Sequence, residues 1–93
     1  MTATNFHALE ALAARLAEAA LTIMVRTCRQ ELADAKPDDL QAACAGIKIK
    51  VPEVIHRLID DVREAPWIAE QAFTAAAFDL ASAGIEVLRG AKE

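Results

Sequence analysis

Between residues 5 and 35 apolar side chains recur at helical intervals, and they cover more of the circumference than a helix resting on a surface needs. At about 100° per residue, Phe6, Leu9, Leu12, Ala13, Leu16, Ala20, Ile23 and Met24 share one face. Leu21, Val25, Cys28 and Leu32 form a second stripe beside it. Arg15, Glu18, Thr22, Arg26 and Arg29 mark the polar wedge that is left. That wedge is about 100° wide, where a helix with one buried face shows about 180° or more. The pattern predicts one long helix, Asn5 to Ala35, with neighbours on two sides. Thr4 or Asn5 is placed to cap its first free N–H groups, and neither proline nor glycine interrupts it before Pro37.

Pro37 then suits the first position of a short second helix. Asp38 and Asp39 lie in its first turn, Leu40, Ala43 and Cys44 point inward, and Gly46 is the expected stop. Ile47, Lys48, Ile49, Lys50 and Val51 alternate apolar and basic, the period of an extended segment with one face buried. The expectation here is a short extended connector near residues 47–51 whose apolar members plug the core. A sharper alternative is a strand that pairs across a dimer axis or with a partner's edge.

Pro52 reads as the start of a third helix, with Val54, Ile55, Leu58, Ile59 and Val62 on its inner stripe. Its outer face offers the i, i+4 pairs Glu53 with Arg57, His56 with Asp60 and Arg57 with Asp61. Pro66 opens the last helix, which runs to about Arg89. One face of that helix is small, with Ala69, Ala72, Ala76, Ala83 and Gly84 interrupted by Phe73, Leu80 and Val87. Trp67, Phe78, Ala81 and Ile85 form a second stripe that so short a chain has little core left to cover.

The predicted architecture is therefore all-α, a small bundle of about four helices in a single domain over residues 1–93. The first and last helices are long and are expected to lie antiparallel in contact, with two short helices closing one side. Composition agrees with the class: 55% of the 93 residues are hydrophobic and only four are aromatic, with no tyrosine. Much of the apolar excess is alanine, which favours helix and lets helices approach closely.

Charge and cysteine usage narrow the function classes. A net charge of -4 argues against a general nucleic-acid or anionic-membrane binder, since neutralising phosphates needs a basic face. Cys28 and Cys44 lie on helical patterns and read as buried reduced thiols. The apolar run Ala17 to Val25 is too short to cross a bilayer, and residues 1–5 carry no basic n-region of a signal peptide. A cytoplasmic protein with no membrane partner is expected.

Few residues carry chemistry. Residues 39–58 loosely resemble a helix-turn-helix, with Ala42 and Gly46 at the spacing of its small residue and turn glycine. That reading would put Lys48 and Lys50 on phosphates and His56 and Arg57 near base edges. Against it, Gln41 stands where an apolar residue is usual, the turn is too long, and Glu53, Asp60 and Asp61 would face phosphate. Glu53 and His56 have the Glu-x-x-His spacing of di-iron carboxylate bundles, and Glu31 could add a carboxylate, but Pro52 sets the pair at a helix start. Cys28, Cys44, His7 and His56 lack any zinc-site spacing. Arg15, Arg26 and Arg29 could grip an acidic partner, though a charged wedge that keeps a long helix soluble is the plainer reading.

The expected function is accordingly a non-enzymatic protein–protein interaction module, adaptor-like or inhibitor-like, that acts as a homo-oligomer, a dimer first of all, and binds another protein. Its interface would be built from Leu21, Val25, Leu32, Trp67, Phe78 and Ile85. The alternative is a small DNA-binding regulator or packaging protein that uses Lys48, Lys50, His56 and Arg57. Neither reading calls for a cofactor, a metal or catalytic residues.

Overall fold

The computed structural model describes the backbone of residues 3–90 and the side chains of residues 7–90. The cap expected from Thr4 or Asn5 and the inward place of Phe6 lie outside the described side chains. Over the described residues the chain is almost wholly helical: α1 (Ala3–Thr27), α2 (Arg29–Asp34), α3 (Pro37–Glu64) and α4 (Ala69–Gly90), with a 3-10 turn at Pro66–Ile68 before α4. The small all-α bundle is as predicted, but its division into elements differs in three ways.

First, the opening helix breaks at Cys28, whose φ of -115° and ψ of 39° leave the helical region. Hydrogen bonding continues on either side of the break. Cys28 N–H donates to the Met24 carbonyl at 2.9 Å and Leu32 N–H to the Cys28 carbonyl at 2.8 Å. Beyond the break, Leu32 of α2 packs on the core and Glu31 comes within 3.8 Å of Arg89.

Second, residues 47–51 are not an extended connector. They lie inside α3, a helix of 28 residues that runs through Gly46 and Pro52. At 1.5 Å per residue it is about 42 Å long, matching the 42 Å long axis of the molecule. Gly46 is no stop because its missing side chain has another use: a Cβ there would lie 3.3 Å from Val87 Cγ2. Pro52 removes the hydrogen bond to the Lys48 carbonyl and crowds it, but both residues are exposed, so water can satisfy that carbonyl. The alternation also fits a helix. Ile47 is fully buried, Val51 half-buried and Ile49 81% exposed.

Third, the first and last helices run parallel rather than antiparallel. Arg15 meets Phe73, Met24 meets Gly84 and Glu31 meets Arg89, so the numbers rise together. Between α3 and α4 they oppose: Gly46 faces Val87, Ile47 faces Gly84 and Arg57 pairs with Asp79. The merger of two expected short helices into α3 removes one chain reversal, and an up, down, up path leaves its outer members parallel. The result is three long helices and one short one.

Pro37 takes the first position of α3 as expected, and Asp39 accepts a hydrogen bond from the Lys36 N–H at 3.4 Å. The core joins Leu16, Ala20, Met24 and Cys28 of α1 and its break to Ala43, Ile47, Val54 and Leu58 of α3. Ala76, Ala77, Leu80, Ala81, Gly84 and Leu88 complete it from α4. Small residues dominate the α4 contribution, which lets its axis come close to both neighbours. At Gly84 a Cβ would lie 2.8 Å from Met24 Sδ and 2.9 Å from Ile47 Cδ1, so the three long helices meet there with no room to spare.

Candidate interaction surface

With α3 and α4 packed on it, α1 has the two neighbours its apolar circumference demands, yet part of its second stripe stays uncovered. Cys28 is buried and Leu32 half-buried, whereas Leu21 is 36% and Val25 50% exposed. One turn apart on the outer surface, Leu21 and Val25 line a shallow depression with Glu18, Thr22, Arg26 and Arg29. The Thr22 hydroxyl turns back to donate to the Glu18 carbonyl at 3.1 Å, which satisfies it within the helix. This face is therefore graded: acidic at Glu18, apolar in the middle, basic at Arg26 and Arg29.

The other proposed interface residues are not gathered here. Glu18 and Thr22 also line the groove where Arg15 and Ala19 meet Phe73 of α4, so they stand between the Leu21 and Val25 pair and α4. In that groove the Arg15 guanidinium lies 5.9 Å from the centre of the Phe73 ring. On α4 Phe78 is 54% exposed, beside Gln71 and Thr74. Trp67 is 79% exposed in the turn before it. Ile85, like Leu32, is half-buried and packs on the core. The six residues thus divide into an α1 pair, two exposed aromatics and two half-buried core neighbours.

The residues of the nucleic-acid alternative are only partly gathered, with Lys50 and Arg57 on one face of α3, seven positions apart. Residues 39–58 form one continuous helix, so they hold no helix-turn-helix. Lys48 and Lys50, two positions apart on α3, project about 200° apart around its axis. Arg57 donates to Asp79 across the α3–α4 hairpin, not to Glu53 or Asp61 along its own helix. His56 is exposed on the outer face between these flanks.

No three metal-ligating side chains come together among the described residues. Glu53 and His56 sit on the exposed face of α3, while Glu31 pairs with Arg89 at the far end of α4. Cys28 and Cys44 are free thiols, the first buried and the second half-buried. Burial pushes the Cys28 thiol above its ordinary pKa and the nearby Glu31 carboxylate adds to the shift, with Arg89 partly offsetting both. The effect is a neutral, shielded sulfur, the opposite of an activated nucleophile. No described helix is long and apolar enough to cross a membrane. The chain matches no protein-family model, and comparison with curated proteins and with solved structures finds no similar one.

Proposed function

We propose that this protein is a non-enzymatic helical interaction module that pairs with a second copy of itself through the outer face of α1. The observation that carries the reading is the order of side chains on that face. Glu18 lies at one end, Leu21 and Val25 in the middle, Arg26 and Arg29 at the other. An antiparallel α1–α1 contact about a two-fold axis sets Leu21 beside the other copy's Val25, and turns Glu18 toward the other copy's basic end, Arg26 of α1 and Arg29 at the start of α2. A parallel contact would place like charges together. Self-complementarity of this kind is what an isologous dimer requires.

Two apolar residues per copy make a small contact, so the association is of modest affinity and sensitive to salt. Phe78 and Trp67 lie outside it and remain available to a different protein, in keeping with an adaptor-like or inhibitor-like role. The nucleic-acid reading has less behind it, because residues 39–58 lie in one continuous helix and Arg57 is paired with Asp79. Sedimentation velocity over a range of protein concentrations tests the proposal. A concentration-dependent shift from the chain mass to twice that mass is expected, weakened by salt. A monomer at every concentration and at low salt would refute it.

A further inference from the structure

At the end of the bundle where α3 turns into α4, an apolar cleft of about 500 Å³ opens between the three long helices. Leu12 of α1, Leu58, Ile59 and Val62 of α3 and Phe73 of α4 form its walls, and Ala69 adds a small surface at the start of α4. Leu58 is buried, and Leu12, Ile59, Val62 and Phe73 are half-buried, so the cleft exposes parts of side chains that otherwise belong to the core. Arg63 is the single charged residue of the lining. It is exposed and forms no ion pair or hydrogen bond among the described residues. The volume lies within the range of small-ligand sites, roughly 300–1,000 Å³.

We propose that this cleft binds a single-chain amphiphile with a carboxylate head, a medium-chain fatty acid, with the alkyl chain between the helices and the head at Arg63. The chemistry of the lining selects the class. Its aliphatic and aromatic walls offer nothing to a polar ligand body, whereas an alkyl chain gains from each methylene it removes from water. The one charged group of the lining is a guanidinium with no partner among the described residues, whose planar fork matches a carboxylate in two parallel hydrogen bonds. A cationic head would be repelled there, and an uncharged head would gain no charge-assisted pair of hydrogen bonds from the guanidinium. The site is distinct from the α1 face proposed for self-association, and it does not depend on that proposal.

Calorimetric titration of the whole protein with octanoate, decanoate and dodecanoate, each below its micelle concentration, tests the inference, with decanol and decylamine as head-group controls. Trp67, four residues beyond Arg63, supplies fluorescence as a second readout. One saturable site per chain is expected, with affinity rising with chain length and then levelling off once the chain outgrows the cleft. Arg63→Gln should weaken decanoate roughly five- to tenfold and leave decanol unchanged, and Arg63→Lys should restore part of the loss. Arg63 is exposed, so these variants fold, and Ile59→Gln should weaken acid and alcohol alike. The proposal is overturned by the absence of saturable binding, by decanoate affinity unchanged in Arg63→Gln, or by affinity that climbs with chain length without limit. Loss through Arg26→Gln instead of Arg63→Gln would also overturn it, by moving the site to the α1 face.

Discussion

Two glycines inside helices show how much depends on a single missing methyl group. Gly84 sits where α1, α3 and α4 converge, and a Cβ there would press on Met24 and Ile47, both of which are nearly or fully buried. Gly84→Val should therefore destabilise the protein by about 1–3 kcal/mol, as overpacked cores do. At Gly46 the nearest atom to a Cβ is Val87 Cγ2 at 3.3 Å, on a half-buried side chain that can yield by a few tenths of an ångström. Gly46→Ala also gains about 1 kcal/mol of helix propensity, so it should melt at or slightly above the wild-type temperature. Thermal denaturation followed by circular dichroism separates the two. Equal destabilisation by both would contradict the close approach at Gly84. The cysteines differ in the same local way. Alkylation of the native protein should modify Cys44 first and reach Cys28 only on unfolding, as peptide mass mapping would show. Because the Cys28 thiol holds its proton to higher pH when folded than when unfolded, stability should decline as pH rises past the ordinary thiol range. Cys28→Ala should flatten that decline.

At the scale of elements, Pro52 and Gly46 explain both what could be read in the sequence and what could not. The apolar stripes of α1 and α4 were legible because helical periodicity over twenty or more residues has few competing readings. Leu16, Ala20 and Met24 are buried where that periodicity placed them. The middle of the chain misled because Gly46, an alternating run and Pro52 are each a local signal to leave the helix. Tertiary packing overrides all three: α4 needs Gly46 for close approach, Ile47 fills the space beside Gly84, and Pro52 lies on the solvent side. The break at Cys28 had no local signal, since neither proline nor glycine marks it. The exposed pair Leu21 and Val25 was visible as a surplus stripe, whereas its separation from Phe78 and Trp67 depends on how the helices pack. Because α3 is continuous, Pro52→Ala should restore a hydrogen bond to Lys48, relieve crowding and stabilise the protein by about 1–3 kcal/mol in urea denaturation. A neutral or destabilising effect would favour a connector over residues 47–51.

For the molecule as a whole, the core is narrow and rich in alanine, with Leu16, Ile47, Leu80 and Val54 its largest fully buried apolar side chains apart from Cys28. Leu80→Ala should cost about 2–5 kcal/mol, a large part of the stability of a domain this size. Under the proposed function the surface has a different role. Leu21 and Val25 contribute little to the core and supply the apolar centre of a face whose charges suit an antiparallel copy of itself. Folding and association should therefore respond to different residues. The most direct measurement is sedimentation velocity on the Leu21→Ser, Val25→Ser double variant, paired with its melting curve. The wild type should associate reversibly, the double variant should stay at the chain mass across the same concentrations, and its melting temperature extrapolated to low concentration should barely change. A wild type that is monomeric throughout would contradict self-association, and a double variant that unfolds would show that Leu21 and Val25 are ordinary parts of the fold.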